Sequence, residues 1–242
     1  MHATSSKDRG MRAAIMQPYF FPYIGYFQLI GAVDLFVVYD NIKYTKRGWI
    51  NRNRILSSGR DVPFTLPLKG DSDFLELRDR EVASNFDRDK LINQVRGAYA
   101  VAPQFKRVFP LIEEILRHDE TNLFEFLYYS LVRTCDMVGI TTKFVVSSTL
   151  GAERELKGQD KVLALCEAVN AKVYINAIGG VDLYSKDEFR ARGIELQFIR
   201  PGSYVYPQFG AEFVPWLSIV DVLMFNTLDS IRECIRSNYA FV

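Results

Sequence analysis

The stretch RAAIMQPYFFPYIGYFQLIGAVDLFVVYD, residues 12–40, contains two short apolar runs separated by a segment with helical spacing. The apolar runs, residues 12–16 and 35–39, have the length of buried strands. Between them, aromatic and aliphatic side chains recur at helical intervals from Tyr23 to Ile30. This order predicts a strand, a turn, a helix and a second strand, which together form a βαβ unit.

Helical and strand-like segments continue to alternate along the rest of the chain. Residues 86–139 carry the pattern of three helices, with Asp87 and Thr121 as predicted N-caps and Gly139 as a predicted helix stop. Alternating strands and helices build a parallel sheet covered on both faces. The sequence therefore predicts an α/β fold with a mostly parallel, Rossmann-like sheet. We expect one domain over residues 11–242, with 86–139 as a helical insertion.

The composition limits the possible classes of protein. The chain has 242 residues, of which 48% are hydrophobic and 24% charged, as in ordinary globular proteins. Thirty basic and 29 acidic residues leave a net charge of +1, which argues against a nucleic-acid binder. The three cysteines are widely spaced, as in reduced cytoplasmic proteins, and no apolar run reaches membrane-spanning length. We therefore expect a cytoplasmic protein without a membrane span.

Every charged side chain between Asp40 and Asp61 is basic. The lysines and arginines of this stretch are Lys43, Lys46, Arg47, Arg52, Arg54 and Arg60. Surface loops of neutral proteins usually mix both signs, so the run predicts an anion-binding surface, with a merely solvated surface as the alternative. Asparagines and the aromatic residues Tyr44 and Trp49 lie between the charges. This combination favours a nucleotide or a phosphate-linked sugar as the ligand.

The loop after the first predicted strand is expected to meet this basic stretch. Ligands of open α/β sheets bind beyond the carboxyl ends of the strands. Gln17 and Tyr19 follow the first predicted strand, and Asp40 follows the second. In this interpretation the prolines shape the loop, Gly25 lets the helix approach closely, and the aromatic rings form a pocket wall. Burial of the same rings in the core alone is the alternative.

Two later segments also place candidate binding residues after predicted strands. The candidates are Gly179, Gly180, Tyr184, Tyr206 and Gln208. The paired glycines can expose backbone N–H groups to a ligand, but a tight turn would need them equally. Asp221 lies in the apolar segment VPWLSIVDVLMFN, residues 214–226, which we predict to be a helix. A buried carboxylate there requires hydrogen-bonding partners.

The familiar catalytic motifs are absent. His118 lies at a predicted helix end and His2 lies in the N-terminal tail, so neither is placed as a base. There is no Cys/His cluster, no Walker loop and no G-x-G-x-x-G or G-x-S-x-G motif. The sequence therefore predicts no cofactor and no metal. Proton transfer would rest on Asp40, on a lysine such as Lys43 or Lys46, on a tyrosine or on the substrate.

Four segments carry a family resemblance. These are MQPYFFPYIGYFQLI, DLFVVYDNIKYTKRGWINRNRI, YINAIGG and YPQFGAEFVPWLSIVDVL. Together they resemble the WbqC-like family, from about Met11 to near the C-terminus. The resemblance implies a role in bacterial O-antigen and other surface polysaccharides. It also implies transfer of an acyl or aminoacyl group, such as glycyl, to the amine of a nucleotide-linked amino sugar.

The order of elements is also similar to the start of nucleotidylyltransferase-like proteins. Those proteins hold phosphates with histidines in the first turn. The corresponding positions here are Pro22, Tyr23, Gly25 and Tyr26, with no histidine among them. This second resemblance therefore implies a shared topology and puts adenylation in doubt.

Two functions from different classes fit these observations. The first is an amide-forming transferase, with Asp40 as base and Gln17 or Asn51 as oxyanion donor. The residues predicted to hold its nucleotide are Tyr19, Lys43, Lys46, Arg47, Trp49 and Arg52. An acyl carrier protein thioester is a possible donor. The second is a non-catalytic module that binds a sugar nucleotide or glycan for another enzyme, which the scarcity of catalytic side chains favours.

Overall fold

The computed structural model describes residues 10–46, 48–70, 74–151, 155–210 and 212–242. The strands are β1 (Arg12–Met16), β2 (Leu35–Val38), β3 (Arg52–Ser57), β4 (Arg60–Thr65), β5 (Lys143–Val146), β6 (Val173–Ala177), β7 (Glu195–Pro201) and β8 (Tyr239–Phe241). The helices are α1 (Ile24–Gly31), α2 (Arg88–Tyr99), α3 (Phe105–Arg117), α4 (Leu123–Val138), α5 (Gly158–Ala168), α6 (Lys186–Ala191), α7 (Ile219–Phe225) and α8 (Leu228–Ser237).

Within the described ranges, six strands form one sheet in the order β5-β2-β1-β6-β7-β8. All neighbouring pairs are parallel except β7 and β8, which are antiparallel. The five parallel strands therefore run third, second, first, fourth and fifth in chain order, which is a doubly wound arrangement. The predicted α/β class with a mostly parallel, Rossmann-like sheet is confirmed.

The sheet is covered by helices on both faces because its side chains alternate between two apolar clusters. Ala14 of β1 and Ile175 of β6 belong to the cluster that includes side chains of α1, α4, α7 and α8. Ala13 and Tyr174, one residue away in each strand, belong to the cluster that includes α5 and α6. We call these faces the α1 side and the α5 side.

The connection from β2 to β5 contains the β3–β4 hairpin and then α2, α3 and α4. Asp87 caps α2 by accepting a hydrogen bond from the Lys90 N–H, and Gly139 ends α4 with a φ of 76°. The prediction of Thr121 as the cap of α4 is wrong. Asn122 accepts the bond from the Glu125 N–H instead, because the helix begins one residue later.

The C-terminal segment differs from its prediction in two places. Of the predicted helix over residues 214–226, only Ile219–Phe225 is helical, and the Ser218 hydroxyl caps it by accepting from the Val220 N–H. The second difference is β8, which is three residues long and pairs at the sheet edge. Such a short strand has too little periodicity to be recognised in the sequence.

Candidate functional site

A cavity of about 730 Å³ lies beyond the carboxyl ends of β1 and β6. These two strands are where the strand order reverses, the position at which doubly wound sheets bind ligands. The lining comes from the ends of β1, β6 and β7, from the loop after β1, and from the first turns of α1. We call it the switch-point cavity.

The cavity extends to both faces of the sheet. β1 and β2 pair along four residues, from Ala13–Leu35 to Met16–Val38. β1 and β6 pair only at Arg12–Val173 and Ala13–Tyr174, so their carboxyl ends carry no ladder between them. The lining includes side chains of both apolar clusters, so a ligand in the cavity can contact both faces.

The α1 side of the cavity is aromatic. Its lining residues include Met16, Tyr19, Tyr23, Tyr26, Leu29, Ile199 and Trp216. The Tyr26 hydroxyl donates a 2.7 Å hydrogen bond to the Gln17 carbonyl, and its ring lies 5.5 Å from that of Tyr19. The Tyr23 and Trp216 rings are 5.2 Å apart. The loop QPYFFPY therefore forms a wall of the cavity and also contributes buried rings to the core.

The α5 side of the cavity is also apolar. Its lining residues include Ile15, Tyr39, Ile42, Val162, Ile178 and Tyr184. Burial raises the pKa of Tyr39 to about 12, so its phenol is neutral near pH 7. Within the described chain, no lining residue on either side of the cavity is acidic.

Three amide side chains reach the cavity wall, from Gln17, Asn53 and Asn176. Asn53 is fully engaged: its Nδ2 donates to the carbonyls of Phe20 and Phe21, and its Oδ1 accepts from the Arg54 N–H. It thereby holds the turn after β1, in which Phe21 has a φ of 42°. Asn53 is structural, whereas Gln17 and Asn176 remain available to a ligand.

Two arginines lie at the rim, Arg54 and Arg200. Arg54 donates to Asp61 at 2.9 Å and to the Trp216 carbonyl at 3.2 Å, and it lies 5.4 Å from the Trp49 ring centroid. Arg200 is exposed, and its guanidinium contacts no acid or acceptor among the described residues. The rim thus carries one arginine that is paired with Asp61, which lies outside the lining, and one arginine without a carboxylate partner among the described residues.

Only part of the basic stretch reaches the cavity. Its described lining residues are Ile42, Trp49, Asn53 and Arg54, of which Arg54 is basic. Lys43 lies 5.0 Å from the Phe74 ring centroid, and Arg52 donates to the Gly48 carbonyl. Lys46 is exposed and does not line the cavity. The predicted binding residue Arg47 lies outside the described residues.

Asp40 and Asn51, two of the predicted catalytic residues, make contacts within the protein. The Asp40 carboxylate accepts from the Ser147 hydroxyl at 2.7 Å and from the Ser148 N–H at 2.9 Å. Asn51 donates to the Leu66 carbonyl and accepts from the Tyr44 hydroxyl. Neither side chain lines the switch-point cavity, whereas Gln17, the third predicted catalytic residue, does.

The predicted binding residues Tyr206 and Gln208 surround the buried carboxylate of Asp221. Asp221 accepts from the hydroxyls of Tyr99 at 2.8 Å and Tyr206 at 2.7 Å, and from Gln208 Nε2 at 2.8 Å. Burial raises the pKa of Asp221, and the three donors act in the opposite direction. This network attaches the loop after β7 to α2 and α7, and it does not line the cavity.

Five of the residues that the sequence predicted to bind substrate line the cavity: Tyr19, Trp49, Gly179, Gly180 and Tyr184. The sequence did not predict three further lining residues, Asn176, Arg200 and Trp216. Asn176 and Arg200 lie near the carboxyl ends of β6 and β7, so the rule that located Gln17 could also have located them. Trp216 carries no such signal, since it follows an irregular loop.

Comparison with known proteins identifies the family of the chain. In the described ranges, no helix has the length and hydropathy of a membrane span. The uncharacterized protein Rv1507c of Mycobacterium tuberculosis is 28% identical over 230 residues, which are 92% of this chain and 98% of that protein. No solved structure matches the chain significantly. The model of the WbqC-like protein family matches residues 17–233, a range that begins at the cavity loop and ends in α8. The chain therefore belongs to the WbqC-like protein family.

Proposed function

We propose that the switch-point cavity binds a nucleotide-linked amino sugar, and that the protein transfers an acyl or aminoacyl group to the amine of that sugar. The reaction would take place in the cytoplasm, in the assembly of a bacterial surface polysaccharide. The observation that carries the proposal is the position of an aromatic, acid-free cavity at the switch point of a Rossmann-like sheet.

The lining suits the parts of a nucleotide sugar. Exposed rings at the rim, Trp49 and Trp216, offer flat surfaces on which a nucleobase can stack. Arg54 and Arg200 offer guanidinium donors to a diphosphate. Because the described lining has no carboxylate, a phosphate entering the cavity meets no like charge there. These features support the nucleotide part of the proposal.

The proposed reaction needs little from the protein beyond orientation. The neutral sugar amine attacks the carbonyl carbon of a thioester, the C–N bond forms, the C–S bond breaks, and the departing thiolate takes up the proton that the amine loses. The Gln17 side chain lines the cavity and is the proposed donor to the oxygen on which charge develops. Holding the amine and the thioester together supplies much of the rate increase.

The second candidate is a non-catalytic module that binds the same nucleotide sugar or a glycan for a partner enzyme. One observation favours it: within the described chain, no Asp, Glu, His, Cys or Lys side chain lines the cavity. Apart from the tyrosine hydroxyls, the lining then offers no ordinary general base. With the nucleotide sugar as ligand, the two candidates differ only in product formation.

Thermal stabilisation by nucleotides tests the shared part. Nucleoside diphosphates would be assayed alone, linked to glucose, and linked to an amino hexose with a free amine. A ligand at 100 times its Kd adds about 2.7 kcal/mol to the free energy of unfolding, which raises Tm measurably. The proposal expects the largest shift from an amino-sugar nucleotide. No shift from any compound contradicts the transferase and leaves, of the second candidate, only the module that binds a glycan.

Product analysis then separates the two candidates. The protein would be incubated with the stabilising amino-sugar nucleotide and a glycyl or acetyl thioester, and the mass of the nucleotide sugar followed. An amide product that requires the protein supports the transferase. Tight binding without any product, also with an acyl carrier protein as donor, supports the binding module.

A further inference from the structure

Asn176 carries an unused hydrogen-bond donor in the wall of the switch-point cavity. Its side chain is 5% exposed, and its Oδ1 accepts a 2.8 Å bond from the N–H of Ala177. This bond distinguishes the two ends of the amide, since an N–H group needs the oxygen. Nδ2 therefore points away from that bond, and no acceptor among the described residues takes its hydrogens. Nδ2 is open to the cavity, where a ligand oxygen can accept its hydrogens.

Gly180 leaves room for the amide in this orientation. A Cβ atom on Gly180 would collide with Asn176 Nδ2 and would lie 3.2 Å from its Cγ. The same atom would lie 3.4 Å from the ring of Tyr184. A side chain at this position would therefore displace the amide. The glycine contributes to the site through its missing side chain.

The walls around Asn176 are mostly uncharged. Residues of one strand alternate between faces, so Asn176 points to the α5 side, as Tyr174 does. The lining residues on that side include Tyr39, Ile42 and Val162, none of them charged. By the same alternation Arg200 lies on the α5 side, two residues after Phe198, and its exposed guanidinium is at the rim. A carbonyl oxygen attached to a short apolar chain satisfies the donor and fits the uncharged walls.

We propose that Asn176 Nδ2 binds the carbonyl oxygen of the acyl donor, whose acyl group occupies the α5 side of the switch-point cavity. This inference rests on the proposed acyl transfer and names the donor half of the same site. The α1 side then holds the amino sugar, whose diphosphate extends to the rim arginines, so the two substrates meet beyond the carboxyl ends of β1 and β6. Asn176 is in this sense a substrate-binding residue.

A ligand comparison tests the assignment. S-acetylpantetheine and pantetheine, which differ by the acyl group, would be titrated calorimetrically into the wild type, Asn176→Ala and Asn176→Asp. We expect S-acetylpantetheine to bind the wild type at least tenfold more tightly than pantetheine, and this difference to disappear in both variants. The control is Asn93→Asp on the exposed face of α2, which adds the same charge outside the cavity lining. It should behave as the wild type.

The amino-sugar nucleotide is the second ligand in every titration. Its affinity should stay within about twofold in Asn176→Ala, because that ligand lies on the other side of the cavity. If the acyl preference persists in the variants, or the wild type has none, the inference is overturned while the sugar-binding part of the proposed function stands. If the acyl preference depends on Asn176 but no nucleotide binds, the donor site stands and the proposed acceptor is wrong.

Gly180→Ala provides a variant in which Asn176 itself is kept. The added methyl group must displace the amide, so the acyl preference should fall as in Asn176→Ala. The Tm of each variant verifies folding. A folded Gly180→Ala protein with the full acyl preference would contradict the orientation on which the assignment depends.

Discussion

Gly25 in the first turn of α1 lies so close to Pro201 at the end of β7 that a Cβ atom on Gly25 would be 2.7 Å from the proline Cγ. Both residues line the switch-point cavity. The missing side chain lets α1 approach the sheet, and the ring of Pro201 cannot rotate away as a flexible side chain would. The close approach thus forms one boundary of the proposed sugar-binding side.

Gly25→Ala is expected to lower the free energy of unfolding by about 1–3 kcal/mol, the usual cost of overpacking. A higher helix propensity offsets up to about 1 kcal/mol of this cost. Chemical denaturation measures the difference. Gly97→Ala in α2 is the matched control, since its Cβ meets nothing within 4 Å. It should gain stability, and a similar gain in Gly25→Ala would contradict the close contact.

Trp216 is expected to contribute to ligand binding, although its backbone conformation is strained. It is 61% exposed, has a φ of 61°, and lies on the cavity rim beside Tyr23. Such a conformation costs an L-residue roughly 1–2 kcal/mol, which glycine avoids. Trp216→Gly should therefore be at least as stable as the wild type.

Nucleotide affinity should nevertheless fall about tenfold in Trp216→Gly, because stacking on a base contributes about 1–3 kcal/mol. Trp216→Ala separates the two effects, since it removes the ring and keeps the strained L-conformation. It should lose the same affinity without the gain in stability. Undiminished nucleotide affinity in both variants would exclude the indole from the site.

Arg200 is expected to contact the diphosphate of the ligand. Arg200→Gln should weaken binding of the nucleotide sugar about tenfold, as expected for loss of a charge-assisted hydrogen bond of about 1.5–3 kcal/mol. Titrations at several salt concentrations should also show a smaller salt dependence. Arg236→Gln in α8 is the control, because Arg236 is paired with Glu233 and does not line the cavity. Equal affinities of the two variants would contradict the assignment.

The Asp221 network predicts a specific pH dependence of stability. Burial raises the pKa of this carboxyl in the folded protein, so the folded state binds more protons than the unfolded state between about pH 3.9, the usual Asp pKa, and the raised value. Over that window the free energy of unfolding contributed by Asp221 falls as pH rises. Above it the contribution is constant.

Asp221→Asn removes this titration while keeping the shape of the side chain. The free energy of unfolding of both proteins would be measured between about pH 4 and 8. The value for the variant should increase relative to that of the wild type as pH rises. Parallel stability profiles would show that the carboxyl titrates normally. Loss of nucleotide binding in a folded variant would place Asp221 in the site, which the geometry does not support.

Asp40→Asn tests the base that the sequence predicted. The substitution keeps an Oδ1 acceptor for Ser147 and Ser148, so the variant should fold. Because Asp40 does not line the cavity, we expect amide formation to change by less than about tenfold. A loss of two or more orders of magnitude with intact nucleotide binding would restore Asp40 as the general base.

The first 40 residues contain enough information to predict the start of the sheet. Apolar runs with β-branched and aromatic side chains mark β1 and β2, and a helical period marks α1. The rule that ligands bind at carboxyl ends then places Gln17, Tyr19 and Gly180 near one another before any coordinates are known. These inferences work because they depend on periodicity and chain order, which are local.

Roles that depend on contacts between distant segments could not be predicted in this way. Asp40 looks like a base in the sequence, yet its partners lie 107 and 108 residues away. The sequence predicts that Tyr206 and Gln208 bind substrate, yet in the structure both side chains donate hydrogen bonds to Asp221. A polar side chain after a strand has the same sequence signal whether it faces a cavity or another buried polar group.

The sequence alone thus determined the fold class, the switch point and the aromatic character of the loop after β1. The spacing of apolar residues and the order of the segments indicate the burial pattern and the strand order. Only the tertiary structure decided which polar groups are left for a ligand. The ladder between β1 and β6 ends early, the cavity takes its lining from both faces of the sheet, and the missing side chain at Gly180 leaves room for the Asn176 amide. Hydrogen bonds and close packing are set by distances of a few ångströms between segments far apart in the chain, and the spacing of residues carries no measure of those distances.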